Sequence, residues 1–222
     1  MSAPVHRLKK AEVNWLGGHR CAHGHTYLEH YDCFLKDYPE RQPKIGHFDI
    51  ETSGLNASYG IVLCYCIQEE NSDKIWGRRI TKNELRTCLD YKVIKACVRD
   101  LKRFDIVTTY FGTGFDLKFI RSVALMMDIP FPHYSTIQHI DLYYVVKNKL
   151  KLHNNKLKTA CSMLLGTTEK TEIDPHHWKK AIHQGDKKAL EYIYDHCKRD
   201  VRDTKRLYHK IIDYRYPGLR SI

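Results

Sequence analysis

The stretch HFDIETSGL, residues 47–55, decides how the rest of this chain is read. Within it Asp49 and Glu51 stand two residues apart, and Phe48 and Ile50 alternate with them. On an extended strand that alternation sends the two carboxylates to one face and the two apolar side chains to the other, into a core. Two acids on one strand face can share a cation. An acid-x-acid pair also describes the wet side of any half-exposed strand, so the choice falls to the surrounding sequence.

Outward from this strand the texture stays strand-like. IVLCYCI at 61–67 and KIWGRRI at 74–80 follow at short spacing, which predicts an antiparallel meander of three strands. A helix is expected around 91–103, and DIVTTYF at 105–111 reads as a fourth strand punctuated by Gly112 and Gly114. Phe115, Phe119, Ile120, Val123, Ala124 and Met127 then recur at helical spacing until Pro130 and Pro132 stop the run. Residues 139–147 and 156–165 form further short elements. The last helix is the plainest, because Leu190, Ile193, Cys197, Val201, Thr204, Leu207 and Ile211 make one stripe of helical period.

Two more acids fall on these elements. Asp116 follows FGTGF at a helix start, where a first-turn acid also complements the helix dipole. In HCKRD, residues 196–200, His196 and Asp200 project from one side of the last helix. Each motif is short, and the specificity lies in their order and separation. FDIETSGL, TYFGTGFDLKFI (109–120) and YDHCKRDVRDT (194–204) resemble the three exonuclease motifs of the DEDD superfamily. They are most similar to the proofreading domain of family B DNA polymerases and to related stand-alone exonucleases. HIDLYYVVKNKLKLHNNKLKTACSMLLG (139–166) resembles the same family's Asp-Leu, Lys-Leu-rich and Leu-Gly stretch, so the resemblance runs over about residues 45–212.

The resemblance implies an α/β, ribonuclease-H-like fold, a mixed sheet flanked by helices, and a hydrolase that removes nucleotides from a 3' end with two divalent cations. Carried over by position, Asp49, Glu51, Asp116 and Asp200 hold the cations, and Thr52, Ser53 and Leu55 fall where the family contacts the terminal nucleotide. Hard oxygen donors suit Mg2+ or Mn2+. Two departures from the pattern stand out. The family's second motif carries an Asn a few residues before its Phe-Asp and commonly steadies the substrate strand with it; Phe111, Gly112 and Thr113 stand here instead. Its third motif carries a Tyr four residues before the Asp, or a His five before; here His196 is four before and Asp195 five before. Positions i and i+5 diverge by about 140° on a helix. His196 therefore takes the Tyr place, where an imidazole can orient or deprotonate an attacking water.

A formal charge of +11 points to a polyanionic partner, and the resemblance makes that partner nucleic acid, single-stranded DNA ahead of RNA. Lys147, Lys149, Lys151, Lys156 and Lys158 lie in a stretch with no acid between Asp141 and Glu169. Of these, Lys149, Lys151 and Lys156 are the candidates for a phosphate track. No run approaches the roughly 18 apolar residues of a membrane span. MSAPVHRLKK leads into no apolar signal core, so an intracellular protein with reduced cysteines, no membrane association, and a cytoplasmic or nuclear address is expected.

Residues 1–44 lack periodicity and read as a small Cys/His-rich module and linker ahead of an exonuclease domain at 45–222. CAHGHTYLEHYDC, residues 21–33, offers Cys21, His23, His25, His30 and Cys33. Cys21-x3-His25 and His30-x2-Cys33 look like two halves of a tetrahedral site for one structural Zn2+, without a catalytic task. His23 rivals His25, because Cys21 and His23 would share a face of an extended segment. Beside the exonuclease reading stand an RNA exonuclease or structure-specific endonuclease on the same fold, and a zinc-bearing nucleic-acid-binding module with a decayed catalytic centre.

Overall fold

In the computed structural model, which describes residues 10–41, 43–134, 136–172 and 174–215, the stretch read first forms β1 (Ile45–Thr52), the middle strand of a five-stranded sheet. β1 pairs antiparallel with β2 (Val62–Glu69), which pairs antiparallel with β3 (Ile75–Arg79), giving the expected meander. On its other side β1 pairs parallel with β4 (Ile106–Thr109), and β4 pairs parallel with β5 (Gln138–Asp141). The order is β3-β2-β1-β4-β5. The sheet is mixed, as the resemblance implied.

Register fixes what each face carries. Asp49 lies opposite Cys66, Ile50 opposite Tyr65 and Glu51 opposite Cys64, and residues directly opposite share a face. Phe48, Ile50, Tyr65 and Ile67 therefore point into the larger apolar core, where all four are buried. α4 (Tyr91–Leu101) covers that face, and the Tyr65 hydroxyl donates to Asp100 at 2.6 Å. The opposite face, with Asp49 and Glu51, takes α9 (Lys187–Ile211), whose Cys197 thiol donates to the Asp49 carbonyl at 3.4 Å. Asp186 caps α9 by accepting the Ala189 N–H at 2.8 Å, and every residue of the stripe read from the sequence is buried.

Three departures from the sequence reading have local causes. The fourth strand stops at Thr109 because Phe111 takes φ +72, which turns the chain toward α5 (Asp116–Met126). The short element at 139–147 splits in two: Asp141 ends β5 and caps α6 (Leu142–Lys149) by accepting the Tyr143 N–H at 3.1 Å. In the larger unit two further helices, α3 (Lys82–Thr87) and α8 (Pro175–Gln184), lie outside the elements read from periodicity, whereas α7 (Leu157–Leu165) matches the run at 156–165.

Contacts divide the chain after Pro43. The smaller unit holds α1 (Lys10–Gly18) and α2 (Tyr31–Asp37) around buried Leu16, Cys21, Tyr27 and Phe34. Trp15 stacks on His19 at 4.0 Å, and the Arg41 guanidinium lies 5.0 Å from the Trp15 ring centroid. Among the described residues, Leu16, Cys21, Tyr27 and Phe34 make a small core for a segment of this size. Among the described residues no helix is long and apolar enough to cross a membrane.

Candidate active site

Three elements of the larger unit deliver four acids to one place. β1 supplies Asp49 and Glu51 on its α9 face. Asp116 opens α5, and its Oδ1 accepts the Ile50 N–H at 3.2 Å, which seats it on the backbone between the two strand acids. α9 adds His196 and Asp200, both buried. His196 Nε2 lies 3.8 Å from Glu51 Oε1 and 4.0 Å from Asp200 Oδ2. One ligand atom from each of Glu51, His196 and Asp200 lies within 4.8 Å of the other two.

The electrostatics follow from crowding these groups out of water. Burial first, then Asp116, Asp200 and Glu51, push Asp49 well above the usual carboxylate range. Glu51 is pushed up to about 8 by burial and then by Asp200. Asp116 rises to about 7, burial outweighing the backbone N–H groups that favour its charged form. Asp49 Oδ2 and Asp200 Oδ1 are buried and meet no hydrogen-bond donor among the described residues. Four carboxylates outnumber the one ammonium that pairs with them among the described residues, that of Lys170, and their oxygen donor set fits hard divalent cations. Burial lowers His196, so its imidazole is neutral near pH 7. The tautomer that donates Nδ1–H to Thr171 Oγ1, 2.9 Å away, leaves the Nε2 lone pair facing Glu51 and Asp200.

Residues 47–212 match the RNase_H superfamily. The chain belongs to that superfamily. Among solved structures, its fold is similar to that of the family B DNA polymerase from the hyperthermophilic archaeon Pyrobaculum calidifontis, with a TM-score of 0.63 and 18% identity over 77% of this chain. The match covers 25% of the polymerase chain, so the likeness is to one part of a larger protein. No curated protein sequence matches the chain. The RNase_H-like fold implied by the motifs is thus the fold it has, and that fold is a nuclease fold.

This superfamily member also carries site residues that the motifs did not single out. The Lys170 ammonium pairs with Asp200. Burial pulls its pKa down, but Asp200 and Asp49 more than offset that and hold it above the usual lysine value. Lys170 is delivered by a segment moored on Asp203, a fully buried acid that accepts from Thr168 Oγ1 at 2.5 Å and from the N–H groups of Glu169 and Lys170 at 2.9 and 3.2 Å. An acid three residues past Asp200, beside the apolar stripe, was the available signal. Trp178 of α8 donates its indole N–H to Thr52 O at 3.2 Å and sets its ring edge-on to His196 at 6.0 Å.

The residues carried over for substrate contact lie in two places. Thr52 ends β1, and Ser53 closes the following loop: its N–H donates to Ile61 O, and its Oγ accepts the Ile61 N–H, both at 2.9 Å. Leu55 is 88% exposed on that loop. Lys149 ends α6, while Lys151 and Lys156 lie between α6 and α7, all three with exposed side chains. Lys170, which lies outside this run, pairs with Asp200 of the cluster.

In the smaller unit, Cys21, His23, His30 and Cys33 bring one ligand atom each within 4.8 Å of one another. Cys21 Sγ lies 3.7 Å from His23 Nδ1 and 3.6 Å from His30 Nδ1; Cys33 Sγ lies 3.4 and 3.5 Å from the same two nitrogens. Bonds of about 2.3 Å to sulfur and about 2.0–2.1 Å to nitrogen around a tetrahedral Zn2+ give S···N edges of about 3.6 Å. The four observed edges fit that figure. His25, the partner preferred from spacing, is outside this set, and its rival His23 is in it. The cause is a tight turn: the Cys21 N–H donates to His25 O and the Gly24 N–H to Cys21 O, both at 2.9 Å, with Gly24 at φ +80. His25 closes the turn through its backbone and leaves His23 beside the thiols.

Proposed function

We propose that this RNase_H superfamily member is a two-metal 3'-5' exonuclease that shortens single-stranded nucleic acid, DNA in preference to RNA. The observation that carries this reading is the convergence of Asp49, Glu51, Asp116 and Asp200, with two buried carboxylate oxygens left without donors among the described residues. These acids would hold two Mg2+ or Mn2+ ions, which supply an activated water and charge stabilisation at the leaving 3' oxygen. Neutral His196 accepts a proton through Nε2 as the water attacks, and Thr171 fixes its ring. Lys170 places a positive charge where the scissile phosphate gathers negative charge. Thr52, Ser53 and Leu55 border the terminal nucleotide, and Lys149, Lys151 and Lys156 are candidates for the phosphate track beyond it. Cys21, His23, His30 and Cys33 would hold one structural Zn2+. The 3' polarity and the preference for DNA rest on the motif resemblance and the likeness to a DNA polymerase.

The test is metal-stripped protein incubated with DNA and RNA oligonucleotides labelled at either end, with Mg2+ or Mn2+ restored. A ladder that shortens progressively from the 3' end is expected, faster on single-stranded DNA, and it should vanish in Asp49→Asn and Asp200→Asn. Internal cuts would replace the exonuclease by an endonuclease, faster loss of RNA would reverse the substrate preference, and binding without cleavage would leave a nucleic-acid-binding module.

A further inference from the structure

Phe111 occupies an unusual place for an aromatic side chain. It is 43% exposed on the turn between β4 and α5, with φ +72, a backbone region that bulky residues rarely enter. One buried carboxylate holds it there: Asp141 accepts the Phe111 N–H at 2.8 Å and the Thr113 N–H at 2.9 Å. The same carboxylate accepts the Tyr143 N–H at 3.1 Å, and the Tyr143 ring meets Phe111 edge to face at 4.8 Å. A single anchor therefore sets both rings. Gly114 is required beneath them, since a Cβ there would stand 2.4 Å from the Phe111 ring. One turn along α6, the exposed Lys147 places its ammonium 5.8 Å from the Tyr143 centroid.

This pair is tied closely to the acids. The Phe111 carbonyl accepts the N–H groups of Gly114 and Phe115 at 2.9 and 3.0 Å, and the next residue is Asp116. A rigid, exposed ring beside a carboxylate cluster adds little to a core. It does offer a flat apolar surface with a cation alongside, which is how proteins grip single strands without reading sequence: a base stacks on the ring and a phosphate meets the cation.

We propose that Phe111, backed by Tyr143, is the stacking surface for an unpaired base of the strand that enters the carboxylate cluster, with Lys147 meeting the backbone phosphate. The nature of the ligand rests on the exonuclease reading. Every base has a π face, so the contact is indifferent to sequence. A duplex hides those faces, so the contact selects unpaired strands.

The experiment measures binding of a short single-stranded oligonucleotide with 2-aminopurine near its 3' end, in Ca2+ to suppress cleavage. The parent should quench the 2-aminopurine fluorescence on binding. Phe111→Leu keeps an apolar side chain but no π face; it should weaken binding roughly 5- to 150-fold and abolish the quench. Phe111→Trp should keep both, and neither change should alter affinity for a blunt duplex. If Phe111→Leu fails to melt cooperatively, Tyr143→Leu takes its place, with a smaller loss in the same direction. A Leu variant with the parent's affinity and quench overturns the proposal while leaving the exonuclease reading intact. A parent that binds no nucleic acid at all overturns both, and the two results are distinguishable.

Discussion

At Glu51 the direction of the pH dependence follows from burial. Its carboxyl group is pushed up from 4.5 to about 8 by burial and by Asp200. A group whose folded pKa is raised stabilises the fold fully below its unfolded value and loses that contribution as pH climbs through the folded one. The metal-free protein should therefore melt at progressively lower temperature from about pH 4.5 to about pH 8. Asp116 adds to the fall up to about pH 7. Glu51→Gln should flatten the slope, and Mg2+ should reverse it in the parent by favouring the ionised carboxylates. Calorimetric scans across that range are the check, and equal slopes in parent and Glu51→Gln would show that Glu51 carries no such penalty. At this scale the sequence was legible wherever a side chain's placement depends on local geometry. Asp49 and Glu51 are two apart on a strand, and His196 and Asp200 are i and i+4 on a helix. Lys170 was not legible, because its place depends on Asp203, 33 residues further along the chain.

Among the elements, α9 was readable because its apolar stripe is long, and the meander because its strands are close in sequence. α8 is short and rich in His and Lys, so its periodicity was faint. Its boundaries were nevertheless marked, with Asp174 capping by accepting the His176 N–H at 2.9 Å, Pro175 at the first helical position, and Gly185 at φ +59 ending it. The segment between α7 and α8 has no periodicity at all, and its conformation comes from Asp203. That acid is fully buried and accepts from Thr168, Glu169, Lys170 and Arg206. Asp203→Ala leaves the Glu169 N–H without its acceptor and the Lys170 N–H with Thr168 Oγ1 alone, and should destabilise the larger unit by about 2 kcal/mol. It should also lower nuclease turnover more than it weakens substrate binding, because Lys170 loses its mooring. Urea unfolding and single-turnover kinetics read the two effects separately; a variant with the parent's stability and rate would mean that Lys170 holds its position unaided.

For the whole molecule, the charge of +11 and the absence of a long apolar run were enough to suggest a nucleic-acid partner and to leave no candidate membrane span, and the three motifs in order were enough to indicate the fold. The ligand set of the smaller unit was harder, because the choice between His23 and His25 turns on one tight reversal at Gly24. Among the described residues, the unit's buried apolar side chains are Leu16, Cys21, Tyr27 and Phe34, and one of these is itself a thiol of the cluster. Burial on that scale offsets little of the entropy of ordering the segment, and the proposed zinc would supply folding free energy there. One tightly held zinc per chain is therefore expected by elemental analysis after dialysis, and Co2+ put in its place should show the visible absorption of a tetrahedral S2N2 site. Cys33→Ser and His23→Ala should each lower the zinc content, while His25→Ala should leave it near one. A zinc-selective chelator, with Mg2+ in excess, should unfold residues 10–43 and leave the melting of the larger unit in place. Equal zinc loss in His23→Ala and His25→Ala would return the choice of ligand to an open contest, and a zinc-free protein with an ordered N-terminal unit would remove the metal from the fold altogether.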